Sequence, residues 1–346
     1  MVLLAFESAG LYEHLDKLVT GTVLRPLVRQ FYHHPWHGLR FWDLMQPGFM
    51  FLAGISMAFS LHKQEEIGMR KIDSFKKMVK RCALLFFFGV TDYAIEPNGN
   101  LQLDLSDVLT QLSFTLFIAF LIFRWSIFAQ ISCCVLLLFG REALYRWTNI
   151  DGFNQPFVNQ HNFGNYMEQV LVKRINPEGW VSINWIPTAV HTIAGALIGK
   201  LLLSSKDKFL PMIKSAIICL IIGYALDKTG TVPIIKRIAT TSFVLVSLGY
   251  CILAFALTYF QIDMKHSNKH FRFFTIVGMN SLFMYLFFEI VGTKWLNGYV
   301  AAIMNGLSSL IHLDSTFNGI LSSLTIFAIE WELCYFLYRK RLFIRV

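Results

Sequence analysis

Phe41-Trp-Asp-Leu-Met-Gln-Pro-Gly-Phe-Met-Phe-Leu-Ala-Gly-Ile-Ser-Met-Ala-Phe-Ser-Leu61 holds one charged side chain, Asp43, in 21 residues. A run of that length and polarity spans the hydrocarbon core of a bilayer as a helix, the form in which a single segment satisfies all its own backbone polar groups in lipid. On either side of it, apolar runs recur at 1–13, 78–95, 106–123, 126–144, 183–203, 209–226, 238–260, 272–292 and 318–338, which makes about ten spans, the first of them clipped. Residues 299–313 are shorter and carry Gly306, so they read as a re-entrant or interfacial segment. The expected fold is all-α, a polytopic integral membrane helix bundle. It reads as a single domain over 1–346, with external loops at 14–40 and 145–182.

Composition excludes the main alternatives. The chain is 55% hydrophobic and 15% charged, too little charge to cover a soluble surface, and its 33 phenylalanines suit surroundings of lipid or core. A formal charge of +9 raises nucleic-acid binding as an alternative, but the basic residues sit in short runs between apolar stretches, the pattern of loops facing anionic lipid. Nucleic acid is therefore not an expected partner. Lys63, Arg70, Lys71, Lys76, Lys77, Lys80 and Arg81 mark a cytoplasmic connection, whereas Asp92 to Asp107 has neither Lys nor Arg and reads as external. Alternation puts Arg124, the Lys200 to Lys208 turn, the Lys265 to Arg272 loop and the C-terminal tail from Arg339 in the cytoplasm. One loop disagrees, because Lys228, Lys236 and Arg237 fall outside. All six cysteines lie in apolar stretches without metal spacing, and no metal is expected.

The densest cluster of reactive side chains is Phe31-Tyr-His-His-Pro-Trp-His-Gly-Leu-Arg-Phe-Trp-Asp43. Imidazole titrates near neutral pH, so His33 or His34 is suited to take a proton from an amine or hydroxyl nucleophile, or to carry an acyl group itself. The plainer reading is an interfacial belt of His and Trp at headgroup level. Asp43 likewise reads either as a partner for imidazole or as a carboxylate favoured by the first turn of a helix. Within the spans, His191 is either a site-lining residue or a buried, hydrogen-bonded histidine, and Asn184 is a weaker candidate. Glu330 and Glu332 read as partners for basic turns. Lys77, Lys80, Arg81 and Arg124 are suited to the phosphates of a nucleotide-type acyl donor, although the positive-inside bias accounts for them as well. No Walker loop, dinucleotide fingerprint, nucleophile elbow or HExxH pattern is present.

The spacing W-x-G-x4-DL-x2-P-x-F-x-F-x2-G-x-S, running from Trp36 through Gly38, Asp43, Pro47, Phe49, Phe51 and Gly54 to Ser56, resembles the hallmark of the heparan-alpha-glucosaminide N-acetyltransferase family and its bacterial relatives. Asn176-Pro-Glu-Gly179, Gly195 with Gly199-Lys200, the run from Lys236 to Leu245, Gly278-Met-Asn-Ser-Leu-Phe-Met-Tyr and the tail from Leu337 are similar too, so the resemblance covers nearly the whole chain. It implies a membrane-embedded acetyltransferase that takes acetyl-CoA from the cytoplasm and acetylates an amino sugar, or an envelope saccharide, on the far side. By the same resemblance the active histidine falls on His33, with His34 as its neighbouring alternative, and Glu7 occupies the position nearest a family asparagine in the first span. Trp36 is expected to stack on the sugar and His191 with Asn184 to line the passage. The expected setting is a bacterial inner membrane with a cytoplasmic C-terminus. The lipid bilayer and a saccharide acceptor are the expected partners, and a homodimer is allowed. Two rival readings stay open: a transporter or flippase for an envelope glycolipid, and a non-catalytic protein of the same fold.

Overall fold

A computed structural model of the chain describes residues 1–94, 104–204, 207–266 and 271–343. Parts of the 92–107 connection, of the 200–208 and 265–272 turns and of the tail lie outside the described residues. The elements are α1 (Val2–Ser8), α2 (Leu11–Leu18), α3 (Arg25–Val28), α4 (Met45–Glu66), α5 (Lys71–Ala94), α6 (Val108–Ile122), α7 (Ile127–Trp147), α8 (Phe163–Val172), α9 (Trp185–Ser204), α10 (Phe209–Lys228), α11 (Thr241–Tyr259), α12 (Arg272–Gly278), α13 (Ser281–Leu286), α14 (Asn297–Ile311) and α15 (Ser315–Arg339). No strand occurs among the described residues. The protein is an all-α, polytopic helical membrane bundle.

Its contacts sort into two compact units, one of residues 33–264 and one of residues 1–32 with 265–346. The larger unit is built around α9, which packs along α4 and also against α6, α7 and α11, while α10 pairs with α11. Burial follows that order: 61% of the apolar window of α9 is buried, against 17% for α7 and for α10, so the latter two face outward. The outward face of α10 presents Ile217, Ile218, Ile221 and Ile222, and that of α7 presents Ile131, Val135, Leu136 and Phe139. An apolar face of that extent is stable in lipid and is a liability in water. Phe51, Ile55, Val190, Ile198, Met212, Ala216, Phe243 and Val246 fill the interior between α4, α9, α10 and α11.

Two glycine-bearing faces let α4 and α9 approach each other closely. A Cβ on Gly54 would lie 2.0 Å from the Thr192 carbonyl oxygen, and one on Gly195 would lie 2.0 Å from that of Phe51. Gly199 meets Ala58 one turn on, with a Cβ there only 2.5 Å from that of Ala58. This is the small-residue contact that membrane helices use where burial from water cannot drive association.

The number of spans differs from the sequence expectation. Six described helices are long and apolar enough to cross a bilayer, seven if the bent pair Arg272–Gly278 and Ser281–Ile311 counts as one. The run at 1–13 breaks into α1 and α2 at Gly10, which takes φ +74°. Helix α6 has only 15 residues, about 22 Å at 1.5 Å per residue. Helix α5 begins at Lys71, so its first turns carry Lys76, Lys77, Lys80 and Arg81. Residues 299–311 continue the run before them: α13, a π-helical stretch over Phe287–Leu296 and α14 form one continuous helix, bent by 73° from α12.

Candidate functional site

The site forms in the larger unit, where the segment before α4 folds back on itself. Pro35 holds the residue before it away from helical backbone, and Gly38 takes φ +140°, where a Cβ would lie 2.7 Å from Nε2 of His34. The Gly38 N–H donates to the carbonyl of Ile234 at 2.8 Å, which fixes this turn to the segment before α11. His37 and the Ile234 N–H share Oδ1 of Asp227, at 3.0 and 2.9 Å, and tie the same segments a second time.

Asp43 is fully buried at the end of this fold-back. Its Oδ2 accepts the N–H groups of Arg40 at 2.9 Å and of His34 at 3.3 Å. Its Oδ1 lies 3.0 Å from Nδ1 of His33 and 3.8 Å from Nζ of Lys236. Lys236 also approaches His33 Nδ1 to 3.1 Å. These two contacts to Nδ1 are alternatives in hydrogen-bonding terms: with a proton on Nδ1 the imidazole donates to the carboxylate, and without one it accepts from the ammonium. The Arg40 guanidinium donates to the His33 carbonyl at 2.8 Å, so the backbone that presents the imidazole is held as well.

Burial pushes the His33 imidazole below the ordinary histidine value of 6.5, and Lys236 and Arg237 push the same way against the Asp43 carboxylate. Burial, with the two cations added to it, outweighs the pull of the carboxylate and favours the neutral imidazole. His34 is also lowered, first by burial and then by Arg40. Its ring takes no part in the carboxylate cluster, and its buried Nδ1 has no hydrogen-bond partner.

Trp180 completes the wall. Its ring meets that of His33 edge to face at 5.3 Å, and Lys236 and Arg237 sit 5.3 and 5.4 Å from its centroid. The Trp180 indole N–H donates to Glu178 at 3.0 Å, and Glu178 pairs with Arg237 at 3.5 Å. Gly179 permits this turn, with φ +83° and a Cβ position 2.8 Å from the Trp36 ring. Trp36 itself donates to the Phe157 carbonyl at 2.8 Å and packs beside Tyr145, Val181 and Ile183. It packs among the connecting loops, and the aromatic ring against the histidine is Trp180.

The other sequence candidates separate. The Asn184 amide donates to the Arg237 carbonyl at 2.7 Å, so it supports the segment that carries Lys236. His191 is wholly buried, with Nδ1 3.2 Å from the Thr188 carbonyl and Nε2 2.9 Å from the Ser247 hydroxyl, which makes it a link between α9 and α11. Glu7 is exposed on α1, in the smaller unit. Lys77 and Lys80 are exposed on α5, and Arg81 is half-buried there with Nε unpartnered. Arg124 pairs with Glu65 at 3.1 Å and lines a cavity of about 440 Å³ with Lys71, Ser74, Phe75 and Phe123. That cavity lies beside Leu61, about 27 Å along α4 from Asp43, a distance close to the thickness of a hydrocarbon core.

Lys236 and Trp180 are the residues that sequence reasoning left out of the site. The misfit of Lys236 and Arg237 to the charge rule for loops was the available signal, since a cation on the wrong side of a membrane protein needs a local partner. Among the described residues, no group of three or more His, Cys, Asp or Glu side chains is placed to hold a metal ion. In comparisons with known proteins, no family model matches the chain and no curated protein matches it significantly.

Proposed function

We propose that the protein is a membrane-embedded acyltransferase in which His33 is the general base, acetyl-CoA the donor and an amino sugar or envelope saccharide the acceptor. The observation that carries this reading is the join of His33 to buried Asp43, with Lys236 against both. Support also comes from the resemblance of the Trp36 to Ser56 spacing to the heparan-alpha-glucosaminide N-acetyltransferase family. The cavity beside Lys71 and Arg124, at the opposite end of α4, suits the anionic part of the donor. Arg124 is thus the one member of the expected phosphate-binding set retained for that role.

The chemistry follows from the tautomer. With Nδ1–H donated to Asp43, the Nε2 lone pair faces outward and takes the proton of the acceptor amine as its nitrogen attacks the thioester carbonyl. The C–N bond forms, the C–S bond breaks, the thiolate leaves and His33 holds the proton. Lys236, close to the imidazolium, favours its prompt release.

Purified protein incubated with labelled acetyl-CoA and glucosamine is expected to form N-acetylglucosamine. His33→Ala should abolish transfer while His34→Ala retains it, and unchanged transfer in His33→Ala would reject the assignment. Failure to bind CoA, combined with glycolipid flux in liposomes, would favour the conduit reading instead.

The pH profile gives a second test. Because the His33 imidazole is depressed from 6.5, kcat/KM is expected to hold level through neutral pH and to fall only on the acid side of that value. Lys236→Met removes a lowering influence and leaves the Asp43 carboxylate, so the acid limb should move to higher pH. An unmoved limb would detach Lys236 from the base.

A further inference from the structure

The smaller unit holds an ionisable group that the acyl-transfer reading does not use. Glu330 lies within α15, 1% exposed, and among the described residues neither of its carboxyl oxygens has a hydrogen-bond partner. The pairing with basic turns expected from the sequence does not form among the described residues, and Glu332 is exposed two residues on. Helices α1, α2, α12 and α14 pack on α15, and among the described residues no hydrogen bond reaches the Glu330 carboxyl from any of them. The Cys334 thiol, one turn further along α15, is its titratable neighbour.

What faces the carboxyl is bare glycine backbone in close contact. It belongs to the π-helical stretch Phe287–Leu296, in which Gly292 is buried. A Cβ at Gly292 would stand 3.3 Å from Glu330 Oε1 and 3.1 Å from the Ser8 hydroxyl, so acid, hydroxyl and bare wide turn converge. Ser8 donates to the Phe288 carbonyl at 3.3 Å, from the same π stretch, and the Trp331 indole N–H beside Glu330 is buried and unpartnered. A π turn inside a long helix costs hydrogen-bond geometry and recurs at working positions. A carboxylate with no counter-ion and no donor inside a span is unfavourable, and it meets that cost by binding a proton.

We propose that Glu330 is an intramembrane proton-binding site, a carboxylic acid that keeps its proton while its contact with Gly292 is dry and releases it when water enters there. It rests on neither His33 nor the donor cavity, so it stands or falls separately from the acyl-transfer reading.

Dicyclohexylcarbodiimide, an apolar reagent, tests it on the full chain in detergent or liposomes. The acid O–H adds across the reagent's C=N bond to give an O-acylisourea that rearranges to an N-acylurea, so the protein gains the mass of one whole reagent and nothing leaves. Peptide mapping is expected to place an adduct on Glu330 at neutral pH, with labelling falling as the pH is raised and the acid ionises. Glu330→Gln should remove that adduct, together with a protonated-carboxyl C=O stretch in the infrared, and Glu332→Gln should leave both. Gly292→Ala keeps the carboxyl, crowds it with a methyl group and is expected to slow labelling several-fold, which keeps the test usable if Glu330→Gln does not fold. Absence of a Glu330 adduct at every pH at which the chain is folded would overturn the proposal, as would labelling equally fast in Gly292→Ala.

Discussion

Asp43→Asn is expected to lower kcat/KM by on the order of 10²- to 10⁴-fold, the loss that follows when a general base is presented in the wrong tautomer. Asp43 is wholly buried and accepts from three directions, with Oδ2 serving the Arg40 and His34 N–H groups and Oδ1 serving His33. Asparagine fills the same volume but keeps only one acceptor oxygen. If that oxygen stays with the backbone N–H groups, the amide NH₂ faces His33 Nδ1 and donates to it. The imidazole proton is then driven to Nε2, where the base function needs a lone pair. His33→Ala should cost as much, and the double variant no more than either alone, because the two side chains act as one unit. Effects that simply multiply would separate the carboxylate from the base. Asp43→Ala is the harsher change: it leaves two buried N–H groups without their acceptor and takes the carboxylate from beside Lys236, and it is expected to cost about 2–4 kcal/mol of stability, seen as a lower thermal midpoint in detergent.

The histidine and the carboxylate were legible in the sequence because they lie ten positions apart in one local turn, and Pro35 and Gly38 announce that turn. Lys236 was not, because its contact with His33 spans 203 positions and exists only once α11 is placed. Trp180 was hidden for the same reason, since a loop rich in Trp and Asn says nothing of which ring turns toward the site. His191 shows the converse. An imidazole inside an apolar run reads equally as ligand or core, and the Ser247 hydroxyl that settles it comes from another helix. Among the elements, the long apolar runs at 41–61, 183–203, 209–226 and 238–260 all became helices, while α1, α2 and α6 are shorter than hydropathy alone indicates. Hydropathy measures solvent preference, whereas length depends on breaks such as Gly10.

Gly195→Val is expected to remove most of the folded protein, with about 2–3 kcal/mol lost from overpacking alone. Valine needs room at a place where even a Cβ would come 2.0 Å from the Phe51 carbonyl, and a backbone oxygen, unlike the end of a flexible side chain, cannot swing aside. The helices must separate, which opens the Gly54 and Gly199 contacts on the same seam. Lipid gives no compensating drive to re-close the seam, because the exposed surfaces are as content against acyl chains as against each other. Damage should also reach the site, since α4 begins two residues after Asp43 and α9 follows Asn184, which holds the Arg237 carbonyl beside Lys236. Gly48→Ala is the control: it lies on the same helix α4 as Gly54, and a Cβ there meets nothing within 4 Å. Size-exclusion profiles and thermal midpoints in detergent should therefore show Gly48→Ala matching the parent chain and Gly195→Val aggregated or melting far lower. Equal midpoints for the two variants would mean that α4 and α9 are not held backbone to backbone, and the placement of Asp43 would lose its foundation.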